Sequence, residues 1–279
     1  GQTVRDPAVL ERIRHLAVPP AWTRVWICAT DDGHLQATGR DRRGRKQYRY
    51  DERFSARRAG RKFGRLVPFG QALPALRRQV TRDLDRHGLP RERVLAALVR
   101  VLDMTAIRIG GDEYARANHT FGLTTLERRH VRVCGARVRL LFRGKGGRLR
   151  RLEIEDRRLA KVVRSCRAVG PGRVFRYRDP GGQWHDLHAA ALNAYLREHT
   201  GGAYTAKDFR TWAGTVAAVT ALTEHHAPAS HRTLVTRAVL AAAVRLGDPP
   251  AVPRRAYIHP DVLAHDPDPG TTAGPGPSG

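Results

Sequence analysis

The 279-residue sequence predicts an α+β fold: a small β-rich N-terminal domain, then a larger, mainly α domain containing a three-stranded antiparallel sheet. Three observations carry this. β-prone and extended runs dominate to about residue 66, helical spacing of apolar residues takes over from Leu73, and a β interlude punctuated by glycine turns interrupts the helices between His130 and Ile154. The length suits two domains at roughly 150 residues each, and 41% hydrophobic residues suffice for a buried core.

The elements follow in chain order. Residues 25–29 are a compact β-prone run, Asp31-Asp32-Gly33-His34 a turn, residues 35–39 a second extended segment, and residues 47–50 a third after a basic turn. Val67-Pro68-Phe69-Gly70 reads as a linker, which places the domains at 1–66 and 73–265 with 67–72 between them. In the second domain Leu73 to Leu84 has helical spacing. Pro90 suits a first helical position, and Val94, Leu95, Leu98, Val101 and Leu102 form a stripe that ends before Gly110-Gly111. Residues 130–134, 137–142 and 149–154, joined by turns at Gly135 and at Gly144-Lys145-Gly146-Gly147, read as the antiparallel sheet, with Lys145 at a hairpin tip. Helices are expected over 156–168, 185–198 and 205–224, the last with Thr205 as N-cap. Another is capped by Ser230 and closed by Gly247, and a short one from Pro253 carries Tyr257. Residues 266–279 have the composition of a disordered tail.

Charge narrows the partner. Lys plus Arg number 51 against 26 Asp plus Glu, a net +25, which concentrates polyanions, nucleic acid first among them. Only five basic residues are lysines (Lys46, Lys62, Lys145, Lys161, Lys207), so 46 are arginines. A lysine retained against that bias is a candidate for proton transfer, which guanidinium does not perform. Cys28, Cys134 and Cys166 are odd in number and lack a CxxC pattern, so neither a disulfide framework nor a zinc site is expected. His225-His226 lacks ligand spacing and reads as solvated histidines, so no metal is expected. There is no GxxxxGK[ST] loop and no sign of a cofactor, which argues against an ATP-driven motor. No apolar run reaches 18 residues, and no apolar h-region opens the sequence, so neither a membrane span nor secretion is expected. The sequence begins at Gly1 rather than Met, as it would if a short leading segment were missing.

Arg108 before Gly-Gly, Lys145 on a hairpin tip, Lys207 and Arg210 three apart on a helix, and Tyr257 near the C-terminus make a chemically complete set for breaking a DNA strand. A tyrosine phenol can attack phosphorus, two guanidiniums can hold the non-bridging oxygens, and a lysine can protonate the departing 5′-oxygen. With a pKa of about 10, only about 0.1% of a free phenol is ionised at neutrality, so neighbouring cations must help. Singly each residue has an ordinary reading: a solvated arginine, an amphipathic core tyrosine, a flexible surface turn.

The segments Arg108-Ile109-Gly110-Gly111, Phe142-Arg143-Gly144-Lys145-Gly146, Lys207-Asp208-Phe209-Arg210-Thr211-Trp212 and Arg255-Ala256-Tyr257-Ile258-His259-Pro260 together resemble the bacterial, poxvirus-like type IB DNA topoisomerases. Val18-Pro19-Pro20-Ala21-Trp22 and the stretch from Gly39-Arg40-Asp41 to Gln47-Tyr48-Arg49-Tyr50 are similar to that family's DNA-binding first domain. The resemblance implies Tyr257 as the nucleophile of a 3′-phosphotyrosyl intermediate, Arg108 and Arg210 on the scissile phosphate, Lys145 as the general acid, and Lys207 assisting it. It also implies DNA contacts from Gln47, Tyr48 and Tyr50, whose alternating polar and aromatic character independently suits a strand laid against a groove. The implied partner is double-stranded DNA, clamped between the two domains of a monomer, with neither ATP nor metal required.

One position departs from the pattern. Asp248, nine residues before Tyr257, stands where the family has a His or Asn that donates to a phosphate oxygen. An ionised Asp only accepts. Two accounts follow: Asp248 is held protonated by the phosphate field, or it turns away while Arg254 or Arg255 compensates. The other readings of the chain are a tyrosine site-specific recombinase and a catalytically weakened, charge-driven DNA-binding relative. Recombinase motifs usually carry His-x-x-Arg where this sequence has Lys207-Asp208-Phe209-Arg210. Charge and resemblance lead one to expect a cytoplasmic, nucleoid-associated protein.

Overall fold

The structure is a computed structural model that describes residues 3–224 and 230–264; the histidine pair at 225–226 and the tail at 266–279 lie outside the described residues. The chain divides into two compact units, Gly1–Arg65 and Leu66–Gly279.

In the first unit the three expected strands, β1 (Thr23–Ile27), β2 (Leu35–Arg40) and β3 (Lys46–Tyr50), pair antiparallel in that order. Two helices not expected from the sequence frame the sheet. Helix α1 (Pro7–His15) starts where the Asp6 carboxylate accepts from the Ala8 and Val9 N–H groups and Pro7 fills the first turn. Helix α2 (Glu52–Gly64) starts where Asp51 caps Phe54. Both caps were readable, but α2 is Arg-rich, buries only Phe63, and so shows almost no apolar stripe. Arg12 ties α1 to the sheet by donating to the Cys28 carbonyl (2.7 Å) and to Gln36 Oε1 (2.8 Å). Buried Gln36 in turn donates to the Gly33 carbonyl (2.6 Å) and orders the turn after β1.

The second unit opens with α3 (Leu66–Leu84), and this corrects the expected linker: residues 67–72 are its first turns. Pro68 is tolerated because first-turn N–H groups have no intrahelical acceptor. Gly70 is not a turn residue. A Cβ there would come within 2.3 Å of the Trp212 ring, so glycine makes room for the indole. Helix α4 (Arg91–Thr105) buries the whole predicted stripe. It ends at Ala106 in a left-handed conformation (φ 51°), and the short α5 (Asp112–Asn118) follows. Strands β4 (Val131–Cys134), β5 (Arg137–Arg143) and β6 (Leu149–Glu155) form the predicted antiparallel sheet, with Phe142 paired to Arg150 and Lys145 in the connecting turn.

Helix α6 (Arg157–Ala168), capped by Asp156, is followed by a hairpin of β7 (Arg176–Arg178) and β8 (Trp184–Asp186). The hairpin overturns the helix expected from His185, since α7 (Ala189–Thr200) begins four residues later. Its turn is built by Asp179, which accepts from Gln183 N–H and His185 Nε2. Helices α8 (Ala206–Thr223) and α9 (His231–Leu246) carry the predicted Thr205 and Ser230 caps, and α10 (Ala251–Ala256) and α11 (Pro260–Ala264) follow. The main core joins α3, α4, the sheet, α6, α7 and the start of α8. A satellite cluster of Ala106, Ala213, Leu246 and Tyr257 supports the end of α10. No helix among the described residues is long and apolar enough to cross a membrane.

Candidate active site

Local structure converges four distant segments of the second unit on one spot. Arg108 lies in the extended stretch after α4. Its carbonyl accepts from Leu123 N–H (2.9 Å), and Gly110 (φ +93°) and Gly122 pack backbone to backbone, where a Cβ on Gly122 would meet the Arg108 carbonyl at 2.6 Å. Arg210 stands on the second turn of α8, beyond a cap in which Thr205 N–H donates to the Asp208 carboxylate. It is 4% exposed and donates to the carbonyl of Ala106, whose left-handed turn presents that oxygen. Asp248 follows the end of α9. Gly247 adopts φ +62° and Asp248 N–H bonds the Ala243 carbonyl, a Schellman closure that fixes the carboxylate's position. Tyr257 ends α10, and its carbonyl accepts from Thr215 Oγ1 (3.1 Å).

At the centre, the Asp248 carboxylate accepts two hydrogen bonds from Arg108 (3.0 and 2.9 Å) and one from Arg210 (2.7 Å). Asp248 therefore does not turn away, and Arg254 and Arg255 are exposed on α10. The Tyr257 phenol oxygen accepts from the other Arg108 nitrogen (3.2 Å), while the Arg210 guanidinium lies 4.8 Å from the centre of its ring. Tyr257 is 6% exposed. That burial pushes the phenol's pKa up, but Arg210 and then Arg108 outweigh it and hold the phenol below its ordinary value.

A cleft beside this cluster is lined by Arg108, Arg210, Asp248, Lys145, Arg148 and Arg150, among others; Tyr257 is not among its lining residues but touches two of them, Arg108 and Arg210. Lys145 is exposed at the β5–β6 tip, the expected hairpin position, and lines the cleft. Lys207 is exposed on α8 and is not among the cleft residues. Arg150 was not singled out from the sequence. Its signal was alternation: on β6 the inward positions are 150, 152 and 154, and an arginine stands there beside Leu152 and Ile154. Burial, then the charges of Arg210 and Arg108, press its guanidinium below the ordinary arginine value, with Asp248 pulling the other way.

In the first unit, β3 presents Tyr48 and Tyr50 outward at 47% and 43% exposure, stacked 6.2 Å apart with Lys46 over Tyr48. Gln47 points to the opposite face and donates to Asp41 (2.9 Å), so it does not share a surface with the two tyrosines. Among the described residues, no group of three or more His, Cys, Asp or Glu side chains gathers where a metal could be held.

This arrangement offers a sheltered phenol, two guanidiniums converging on one pair of oxygens, and an ammonium at the cleft edge. Comparison with known proteins points the same way. The model of the eukaryotic DNA topoisomerase I catalytic core matches residues 51–265, and that of the bacterial DNA topoisomerase IB N-terminal domain matches residues 1–41. A DNA topoisomerase 1B of Acanthamoeba polyphaga mimivirus is 29% identical over 259 residues, which is 89% of this chain and 77% of the viral protein.

Proposed function

The chain belongs to the type IB DNA topoisomerase family, an isomerase family, and from that premise we propose that it relaxes supercoiled duplex DNA as a monomer, without ATP or metal. Tyr257, as phenolate, attacks the scissile phosphorus. The O–P bond to tyrosine forms as the bond to the 5′-oxygen breaks, leaving a 3′-phosphotyrosine and a 5′-hydroxyl. Lys145 gives the leaving oxygen its proton, and the phenol's proton has passed to solvent. Lys207, one turn from Arg210, is assigned the supporting part in that transfer. Arg108 and Arg210 neutralise charge on the phosphoryl oxygens. Rotation of the 5′-end about the intact strand releases torsion. Attack of the 5′-hydroxyl on the phosphotyrosine then restores the DNA, so the bond energy is conserved in the covalent link.

One observation carries this reading. The two guanidiniums that touch or cover the Tyr257 phenol are the same two that hold a planar pair of anionic oxygens, those of Asp248. A phosphodiester presents two non-bridging oxygens with the same need for paired N–H donors. The exposed tyrosines of β3 are the proposed DNA contacts of the first unit, and Gln47 would reach DNA only by releasing Asp41.

The test is a trapping assay. Protein is mixed with negatively supercoiled plasmid in EDTA, the reaction is stopped with SDS, and covalent protein–DNA adduct and topoisomers are scored. Relaxed topoisomers without recombinant product, and an adduct lost in Tyr257→Phe with binding retained, are expected. The presence of Asp248 in the fork favours one competing reading, a DNA-binding relative that has lost its chemistry. Salt-sensitive binding with no adduct from the unaltered protein would establish it.

A further inference from the structure

We infer that Arg150 is a third phosphate-binding guanidinium, a catalytic residue that offsets the carboxylate of Asp248. The inference rests on the proposed strand-cleavage reading. Arg150 occupies an inward position of β6 opposite Phe142, in register with the core residues Leu152 and Ile154. Packing alone calls for an apolar side chain there. Instead the structure gives an arginine a route to the cleft: its Cγ lies 3.1 Å from where a Cβ of Gly144 would stand, and its Nη1 lies 0.7 Å from where a Cβ of Gly247 would stand. Gly247 thus serves twice, closing α9 with a left-handed turn and leaving the volume that the guanidinium fills.

The guanidinium lines the same cleft as Arg108, Arg210 and Lys145, yet it has no hydrogen-bond partner among the described residues. Five N–H donors on a half-buried cation are left for an anionic guest. Charge makes the same case. With Asp248 ionised, Arg108 and Arg210 present a net charge of only one to an incoming phosphodiester. Arg150 makes it two, which is what two arginines beside a neutral donor would present. The unused N–H groups also supply what a carboxylate at 248 cannot, a hydrogen bond donated to a phosphoryl oxygen.

The test is a double-mutant cycle on single-turnover cleavage of a duplex oligonucleotide, with adduct trapped by SDS at saturating protein. Arg150→Gln should slow cleavage about 10²-fold, the scale of one lost oxyanion donor. In an Asp248→Asn background the same change should cost about 10-fold or less, because the charge to be offset is gone. Arg150→Lys, which keeps the charge and loses the fork, should fall between wild type and Gln, and it carries the comparison if the Gln variant does not fold. Equal losses in both backgrounds, or no loss in either, would overturn the inference. Failure of the unaltered protein to form a Tyr257-dependent adduct would instead sink the cleavage reading, and the Tyr257→Phe control keeps the two outcomes apart.

Discussion

Asp248 holds two opposed consequences in one side chain. Its carboxylate, 10% exposed, accepts three hydrogen bonds from Arg108 and Arg210 and so offsets part of their charge in a poorly solvated site. The same oxygens stand where a phosphodiester would seek those donors. Asp248→Asn removes the competing charge and adds a donor, so single-turnover cleavage should accelerate about 10-fold or more, with the roughly 10²–10³-fold worth of one oxyanion donor as the upper bound. It should also lower stability by about 1–3 kcal/mol, because the ion pairs with both arginines are lost and one of the two acceptor oxygens is replaced by an N–H donor facing them. Cleavage kinetics and thermal unfolding read the two effects separately, and a slower Asn variant refutes the idea that the carboxylate is a liability. Tyr257 gives a pH signature. Burial raises its pKa while Arg210 and Arg108 more than cancel that, so the phenolate is populated at lower pH than in a free phenol of pKa about 10. Cleavage should therefore rise with pH and level off below pH 10. In Arg108→Ala the levelling should move to higher pH, because removing a cation disfavours the phenolate. An unmoved profile would mean that Arg108 acts on the phosphate alone.

At the scale of elements, α8 sets the distance between nucleophile and guanidiniums. Gly214 faces the end of α10, where a Cβ would meet the Tyr257 carbonyl at 2.9 Å and the Tyr257 Cβ at 3.1 Å. Gly to Ala in a helix interior ordinarily gains about 1 kcal/mol. Here the contact is backbone, which cannot swing aside, so Gly214→Ala should displace Tyr257 and slow adduct formation by about 10–100-fold, as misplacement near 1 Å does. Electrophoretic DNA binding should be unchanged. The parts of this machinery that were legible are those with a local signal: the Thr205 and Ser230 caps, the Gly247 stop, the buried stripe of α4 and the glycine turns that separate β4, β5 and β6. Gly70 misled because a glycine vacated for Trp212 looks like a glycine needed for a turn, and only the tertiary contact separates them. The hairpin of β7 and β8 was missed although Asp179-Pro180-Gly181-Gly182 is a turn signal, because its strands are three residues long. At the site, the order of motifs located Arg108, Lys145, Arg210 and Tyr257. Arg150 was hidden among 46 arginines, and what distinguishes it is the face of β6 on which it stands.

Across the whole molecule, the net charge of +25 divides into two populations with different physics. Most arginines are exposed, as at Arg42 and Arg43 in the β2–β3 turn or Arg53, Arg57 and Arg58 on α2. Arg210 is buried, and Arg108 and Arg150 are half-buried in the cleft. Exposed cations attract DNA through solvent, where charges further apart than about 10 Å are largely screened at 0.1 M salt. Each phosphate they neutralise releases counterions, so affinity should fall steeply: with 6–10 contacts, about 10³–10⁵-fold between 50 and 200 mM salt. The guanidiniums around Tyr257 act at hydrogen-bond distance in a site with little solvent, where screening has small effect. Binding and chemistry should therefore separate under one variable. Titrations of duplex oligonucleotide should give a log–log salt slope of several units, while the trapped-adduct rate at saturating protein should change by less than about threefold over the same range. If the saturated rate falls in parallel with affinity, the exposed charges take part in the cleavage step itself, and the division between steering and catalytic cations does not hold.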